Sequence, residues 1–295
     1  MDRLPLPEAL VAQARSYAEG GATPVEPRDA ATVVLLRPGS SDASGPEVYL
    51  LRRQTSMAFA GGMCVFPGGG VDPRDFDPPS DEGPGLVDRG LWAGPSPAEW
   101  AVRLGCDEPM ARALVCAAVR ETFEESSVLL AGAGPSEVVA DTTGADWEAD
   151  RVALETRELS LTAFLEQRSL VLRTDLLGAW SGWLTPVFEP RRYRTWFFVA
   201  RLPDGQVTRD VSTESSSVMW VDALDAVARV ERQEILMLPP TWLTCLEVGQ
   251  HPDPDAVLAA ARERTVEMFT PEVVADGEEF ILSTPPAYAA LLAAR

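Results

Sequence analysis

The chain contains no lysine and no asparagine, and its single histidine is His251. All 25 basic residues are therefore arginines. Without lysine there is no Walker-type phosphate loop, no Schiff-base chemistry and no Ser–Lys dyad. One histidine cannot build a multi-histidine zinc site, and the missing asparagine removes any N-glycosylation acceptor. The four cysteines (Cys64, Cys106, Cys116, Cys245) stand far apart without a CxxC, the pattern of buried thiols in a reducing compartment. No window approaches the roughly 18 uncharged apolar residues of a membrane span, and the first residues lack the apolar run of a secretory signal. The expectation is a soluble, cytoplasmic protein with no membrane partner. Acidic residues number 45, for a formal net charge of −20, which repels nucleic acid and argues against a polyanion binder.

What is present is an ordinary globular composition, 46% hydrophobic over 295 residues, enough for one large or two small domains. A short helical stretch opens the chain. Residues 31–36 (ATVVLL) and 47–53 (EVYLLRR) read as a strand pair joined by a Gly/Ser loop. A short apolar run at 63–66 stops at Pro67-Gly68-Gly69-Gly70. The Pro-, Gly- and Asp-rich stretch at about 72–110 reads as an inserted surface excursion. A helix follows over about 108–130, then more helix over 136–177, and strands near 180–188, 193–201 and 216–221. Helices are expected at 222–230, 240–249 and 253–268. The mixture without regular βαβ alternation predicts an α+β fold with a mixed sheet between helices, an α/β/α sandwich. Its parts are an extension over 1–29, a domain over 30–250 and a helical extension over 251–295.

The chemistry lies in the helix ARALVCAAVRETFEESSVLL. At 3.6 residues per turn, Glu121, Glu124 and Glu125 fall within one arc, with Val115, Val119 and Phe123 roughly opposite. Three carboxylates on one arc repel, and Arg120 relieves only part of that through its i,i+4 partner Glu124. A hard divalent cation turns such repulsion into ligation. A solvated acidic face is the bland alternative. The Phe66-Pro67-Gly68-Gly69 turn upstream weighs against it, because its glycines permit close approach of backbone to a ligand.

This combination resembles the Nudix hydrolases, whose box reads G-x5-E-x7-R-E-U-x-E-E-x-G-U. The matching residues are Gly69 and then Arg120-Glu121-Thr122-Phe123-Glu124-Glu125-Ser126-Ser127-Val128. The resemblance implies Mg²⁺ or Mn²⁺ as cofactor, with Glu124, Glu125, Glu121 and the backbone of Gly69 or Gly68 as ligands. Glu121 is a ligand or the base that activates water, and Arg120 orients the glutamates. Three departures stand out. About 37 extra residues separate Gly69 from Glu121. Asp75 takes the place of the first glutamate when counted from Gly69, whereas Arg112 takes it when counted back from Arg120. Ser127 replaces the last glycine, where a left-handed residue costs on the order of 1 kcal/mol.

The insertion and the stretches 49–77, 183–203, 219–227 and 235–242 resemble the larger branch of peroxisomal-type acyl-CoA and CoA diphosphatases. That resemblance implies hydrolysis of the diphosphate linkage in a nucleoside diphosphate derivative, with CoA or an acyl-CoA first. ADP-ribose, NADH or a nucleotide sugar is the alternative substrate. A silent nucleotide-sensing module and RNA cap processing are the remaining rivals, the last disfavoured by the acidity. Glu214 is the candidate second base, and a homodimer is a possible assembly. Gly68, Arg52, Arg191 and Arg194 are the substrate-binding candidates, with Arg192, Tyr193 and Trp196 beside them to grip phosphate or stack a base. Trp180 and Trp183 read as core and His251 as surface. Asp72, Asp75 and Asp77 read as a solvated acidic loop.

Overall fold

The computed structural model describes residues 8–21, 23–40, 45–57, 59–76, 84–276 and 279–293. Helix α1 (Glu8–Gly20) precedes β1 (Arg28–Arg37), β2 (Glu47–Arg53), β3 (Cys64–Val65) and β4 (Gly68–Gly70). The region after β4 supplies β5 (Trp92–Ala93) and α2 (Pro97–Leu104) before the long helix α3 (Glu108–Ser126). Next come β6 (Ala131–Gly132), α4 (Ala145–Glu155), α5 (Leu161–Arg168), β7 (Val171–Arg173), β8 (Leu177–Leu184), β9 (Tyr193–Arg201) and β10 (Ser215–Asp222). The chain continues through α6 (Ala223–Glu231), α7 (Pro239–Val248), α8 (Pro254–Arg262), β11 (Met268–Phe269), β12 (Val273–Asp276), β13 (Glu279–Leu282) and α9 (Ala289–Ala293).

Alternation along the strands divides the core into two layers. Val33 and Leu35 of β1 pack on one side with Phe198 of β9 and the α3 residues Leu114, Val115 and Phe123. Val34 and Leu36 pack on the other with Phe197, Val199, Trp180 and the α6–α8 residues Val227, Leu243 and Val257. Neighbouring residues thus feed opposite layers, as the pleat requires, and the sheet lies between two helical layers. Its strand order is β10-β2-β1-β9-β8-β11, with β3 on β2 and β4 on β1. The β1–β9 and β8–β11 pairs are parallel, and the other pairs are antiparallel. This is the α+β mixed-sheet sandwich expected from the sequence.

The site depends on how β1 is shared. Its C-terminal end pairs with β2 through Leu36 and Arg37, while Ala30, Ala31 and Thr32 pair with Gly70, Gly69 and Gly68. The Pro67 turn, whose carbonyl accepts from Val33 N–H at 2.8 Å, returns the chain to the sheet as the three-glycine strand beneath α3.

Several boundaries differ from expectation. Helix α3 ends at Ser126 because Ser127 adopts the left-handed conformation (φ 62°, ψ 14°), and Val128–Leu130 run on fully buried toward β6. The stretch 136–177 is only partly helical. Its β7 joins β5 and β6 in a small sheet that long-range contacts assemble. The tail after 251, expected to be helical, carries the β12–β13 hairpin as well as α8 and α9. His251 is half-buried, its ring edge-on to Trp180 at 6.0 Å, and not a free surface residue. Trp180 and Trp183 are core, as expected. Asp77 lies outside the described residues. Among the described residues, no helix is long and apolar enough to cross a membrane.

Phe123 ties α3 to α4 and α5, stacked on Phe164 at 5.5 Å and edge-on to Trp147 at 6.4 Å. Phe123→Ala should lower unfolding free energy by about 3–5 kcal/mol in urea denaturation, since the fully buried ring leaves a cavity between three elements.

Candidate active site

The site forms where α3 crosses the glycine strand β4. An ideal Cβ on Gly69 would lie 2.5 Å from the Glu121 carboxyl, so only glycine lets that carboxylate rest against the sheet. A Cβ on Gly68 would meet the Ala31 carbonyl at 2.5 Å. Gly68, a substrate-binding candidate, donates its N–H to Glu125 Oε2 at 2.8 Å and so orients a glutamate.

Arg120 organises the other carboxylates. Its Nε and Nη2 grip both oxygens of Asp75 at 2.9 and 2.7 Å, and Nη2 also reaches the Gly70 carbonyl at 3.1 Å. Its Nη1 donates to Glu121 at 2.7 Å and to Glu124 at 3.3 Å. Asp75 closes a 3₁₀ turn, Pro73–Asp75, whose reciprocal cap has Arg74 N–H on Asp72 and Asp72 N–H on Asp75 Oδ2. Asp72 and Asp75 are therefore buried structural groups, which corrects their reading as a solvated loop.

The C-terminal end of α3 is fixed as firmly. Arg151 Nη1 donates to the Glu124 carbonyl at 2.7 Å and pairs with Glu148 and Glu155, satisfying a carbonyl that the helix itself cannot. Arg209 donates its N–H to the Ser126 carbonyl and its Nε to Ser127 Oγ, while Tyr49 OH donates to the Arg209 carbonyl. That loop ends at Glu214, whose carboxylate pairs with Arg53 Nη2 at 2.9 Å.

Two chambers meet here. One, of about 710 Å³, is acidic and holds Glu121, Glu124, Glu125, Asp29 and Asp72 with Arg28, Arg120 and Arg157. The other, of about 450 Å³, is mainly apolar, walled by Phe66, Trp183, Phe188, Phe197, Leu238 and Leu282 among others. Gly68, Gly69, Gly70, Tyr193 and Glu214 line both.

Burial dominates the electrostatics. It raises Glu121, Glu124 and Glu125 above the usual carboxylate range, with Glu121 adding repulsion to its two neighbours. Glu124 rises to about 7 despite Arg120. Arg120 serves Glu121 and Glu124 while already committed to Asp75, and Glu125 has the Gly68 N–H and the charge of Arg53; this shortage of positive charge suits hard-oxygen ligation of a divalent cation. Among the described residues, no three His, Cys, Asp or Glu side chains already converge in a metal-ligating arrangement. Arg120 Nη1 sits between Glu121 and Glu124, so ligation requires those carboxylates to turn from it.

The arginines expected to bind substrate lie elsewhere. Arg52 is exposed with its Nε 3.4 Å from the Gly62 carbonyl, whereas its strand neighbour Arg53 lines the apolar chamber. Arg191 is exposed and lines neither chamber. Arg192 is buried on the Thr185 and Val25 carbonyls, and Arg194 pairs with Asp29 at 3.2 Å. Trp196 is core, its indole N–H on the Leu104 carbonyl. Of the candidates in that segment, Tyr193 lines both chambers, its ring 5.1 Å from that of Phe59.

Residues 27–246 match the NUDT19 Nudix domain. The chain belongs to the Nudix family. It is 26% identical over 225 residues to the acyl-coenzyme A diphosphatase NUDT19 of Xenopus laevis, a match covering 68% of this chain and 59% of that protein. It is 27% identical over 264 residues to the Gallus gallus protein of the same name, covering 73% and 66%. The matches thus span less than two thirds of either relative. The crystal structure of a Nudix hydrolase from Alicyclobacillus acidocaldarius superposes with a TM-score of 0.65 at 25% identity, covering 80% of this chain and 96% of that one. Asp75, six residues after Gly69, clasps Arg120, while Arg112 lines neither chamber. The insertion therefore lies between Asp75 and Arg120.

Two outcomes follow from this geometry. Glu124 carries a raised folded pKa, so the stability contributed by its protonated form is present below the ordinary carboxylate range and lost as pH rises through about 7. The melting temperature of chelator-treated protein should fall between about pH 5 and pH 7.5, and Glu124→Gln should flatten part of that fall; identical slopes would refute the burial penalty. Gly69→Ala should push the flexible Glu121 side chain away at little cost in melting temperature, while turnover drops on the order of 100-fold. Unchanged turnover would show that Glu121 need not rest against β4.

Proposed function

We propose that the protein is a Nudix pyrophosphohydrolase that cleaves the diphosphate of a nucleoside diphosphate derivative, with CoA or an acyl-CoA as preferred substrate. The observation that carries this reading is the junction of the two chambers at Gly68–Gly70, where an acidic cavity opens onto one walled by Phe66, Trp183, Phe197 and Leu238. CoA has that division, with a charged diphosphate joined to a long, weakly polar pantetheine arm. A thioester chain extends the apolar part and gains from burial at about 25 cal/mol per Å². ADP-ribose, NADH or a nucleotide sugar would instead set a hydroxyl-rich group against those walls, leaving its hydrogen bonds unmade. The similarity to acyl-coenzyme A diphosphatases over residues of the Nudix domain supports the same choice.

Mg²⁺ or Mn²⁺, held by Glu121, Glu124 and Glu125 with backbone of Gly69, would neutralise charge on the phosphoryl oxygens and lower the pKa of water. The chain's own groups do the positioning. Arg120 and Gly68 N–H aim the glutamates. Glu214, 53% exposed at the junction, is the base that takes a proton from the attacking water, with Glu121 as the alternative. The water oxygen forms the new bond to phosphorus, and the bridging oxygen leaves with the other phosphate. Walls of the apolar chamber exclude water from the leaving arm.

With Mg²⁺ or Mn²⁺, and with EDTA as control, the protein should release 3′,5′-ADP from CoA and acetyl-CoA, identified by mass. AMP from ADP-ribose or NADH as the faster product would replace the substrate and keep the chemistry. Glu124→Gln and Glu125→Gln should each cut turnover by about 100-fold or more without lowering the melting temperature, because each removes a desolvated charge. Retained activity in either would sink the assignment.

A further inference from the structure

Arg53 is a largely buried arginine with donors left over, unlike the exposed Arg28 and Arg157 of the acidic chamber. It ends β2 at the chamber junction, and its side chain is only 19% exposed. A guanidinium offers five N–H donors, yet among the described residues its one hydrogen bond is Nη2 to Glu214 at 2.9 Å, and its Nε is buried without an acceptor. Arg120, by contrast, has an acceptor on all three nitrogens. A largely buried cation with unspent donors, lining the apolar chamber and paired with Glu214, which lines both chambers, fits an anionic ligand.

We propose that Arg53 binds the substrate's phosphate on the apolar side of the junction, holding Glu214 with one arm and a phosphoryl oxygen with the rest of its fork. This rests on the pyrophosphohydrolase reading and adds a polarity to it: the half of the substrate that enters the apolar chamber carries the phosphate that Arg53 grips. Glu214 is suited to share the arginine, because its backbone is fixed independently. Its carbonyl accepts from Gln54 N–H at 2.9 Å, and Gln54 Nε2 donates to the Thr213 carbonyl at 2.8 Å. Bidentate recognition of phosphate needs the planar fork, so lysine is a poor substitute here despite its charge.

The test is calorimetric and kinetic. Methylenediphosphonate, a diphosphate that cannot be hydrolysed, is titrated with Mg²⁺ into the wild type, Arg53→Gln, Arg53→Lys and Glu214→Gln. The expected result is at least about tenfold weaker binding in Arg53→Gln, a smaller loss in Arg53→Lys and near-native binding in Glu214→Gln. With CoA, KM should rise in Arg53→Gln, while Glu214→Gln lowers mainly kcat. Melting temperatures identify any variant that misfolds, and Arg53→Lys, which keeps the charge, then decides. Equal affinity in wild type and both Arg53 variants overturns the proposal. So does a KM increase in Glu214→Gln matching that in Arg53→Gln, since Arg53 would then act only through Glu214. Diphosphonate gripped through Arg53 by a protein that turns over no CoA ester leaves this assignment standing and removes only the substrate reading.

Discussion

The clasp between Arg120 and Asp75 holds the site together, because it joins the sheet side of the Nudix box to its helix across the insertion. Both groups are buried, at 5% and 1% side-chain exposure, and meet through two hydrogen bonds of 2.9 and 2.7 Å. Removing one partner of such a pair leaves the other charged in a poor dielectric, a loss of about 3–5 kcal/mol. Lengthening the connection from Asp75 to Arg120 by some 37 residues adds only about 1.5 kcal/mol of closure entropy, since that cost grows with the logarithm of length. The insertion also folds, with α2 capped by Ser96 and Trp100 buried. A long excursion is therefore compatible with the site as long as its two ends stay clasped.

Glycine does on the sheet side what Arg120 does on the helix side. Only a strand without side chains lets Glu121 lie against it, and Gly68 N–H supplies a hydrogen bond that orients Glu125. The carboxylates are desolvated by this closeness, and the resulting proton affinity measures how much positive charge the site lacks. The same glycines form the sill between the chambers, so one local feature sets both the electrostatics of the acidic side and access to the apolar side.

The sequence exposed what is local and hid what is assembled. The RE-x-x-EE helix, the PGG turn and strands near 31–36, 47–53 and 193–201 could be read because their signals lie within a few residues. The left-handed Ser127 was visible as the residue in the glycine's place, although the apolar Val128–Leu130 run invited the helix to continue. Arg52 and Arg53 could not be separated, since the answer depends on which face of β2 each residue takes against β3 and β10. Arg191, Arg192 and Arg194 drew attention as a cluster of charge, but composition cannot reveal that a carbonyl or Asp29 already holds two of them. The β5–β7–β6 sheet joins segments from three separated stretches, so no window contains it. Asp276-Gly277 between apolar runs is a local hairpin signal that competes with the helical pattern of the tail.

A protein of net charge −20 that binds a diphosphate must confine positive charge to where the phosphates lie. Most arginines here are already committed: Arg151 to α4 and the end of α3, Arg173 to Asp175, Arg194 to Asp29, Arg120 to Asp75 and the glutamates. Such saturated pairs neutralise and brace but offer little to a ligand, because every donor turned to a substrate is one taken from a buried carboxylate. Counting arginines therefore says less than counting their unspent donors. By that measure Arg53, largely buried beside Glu214 in the apolar chamber, keeps capacity for an anion, and the exposed Arg28 and Arg157 line the acidic chamber itself.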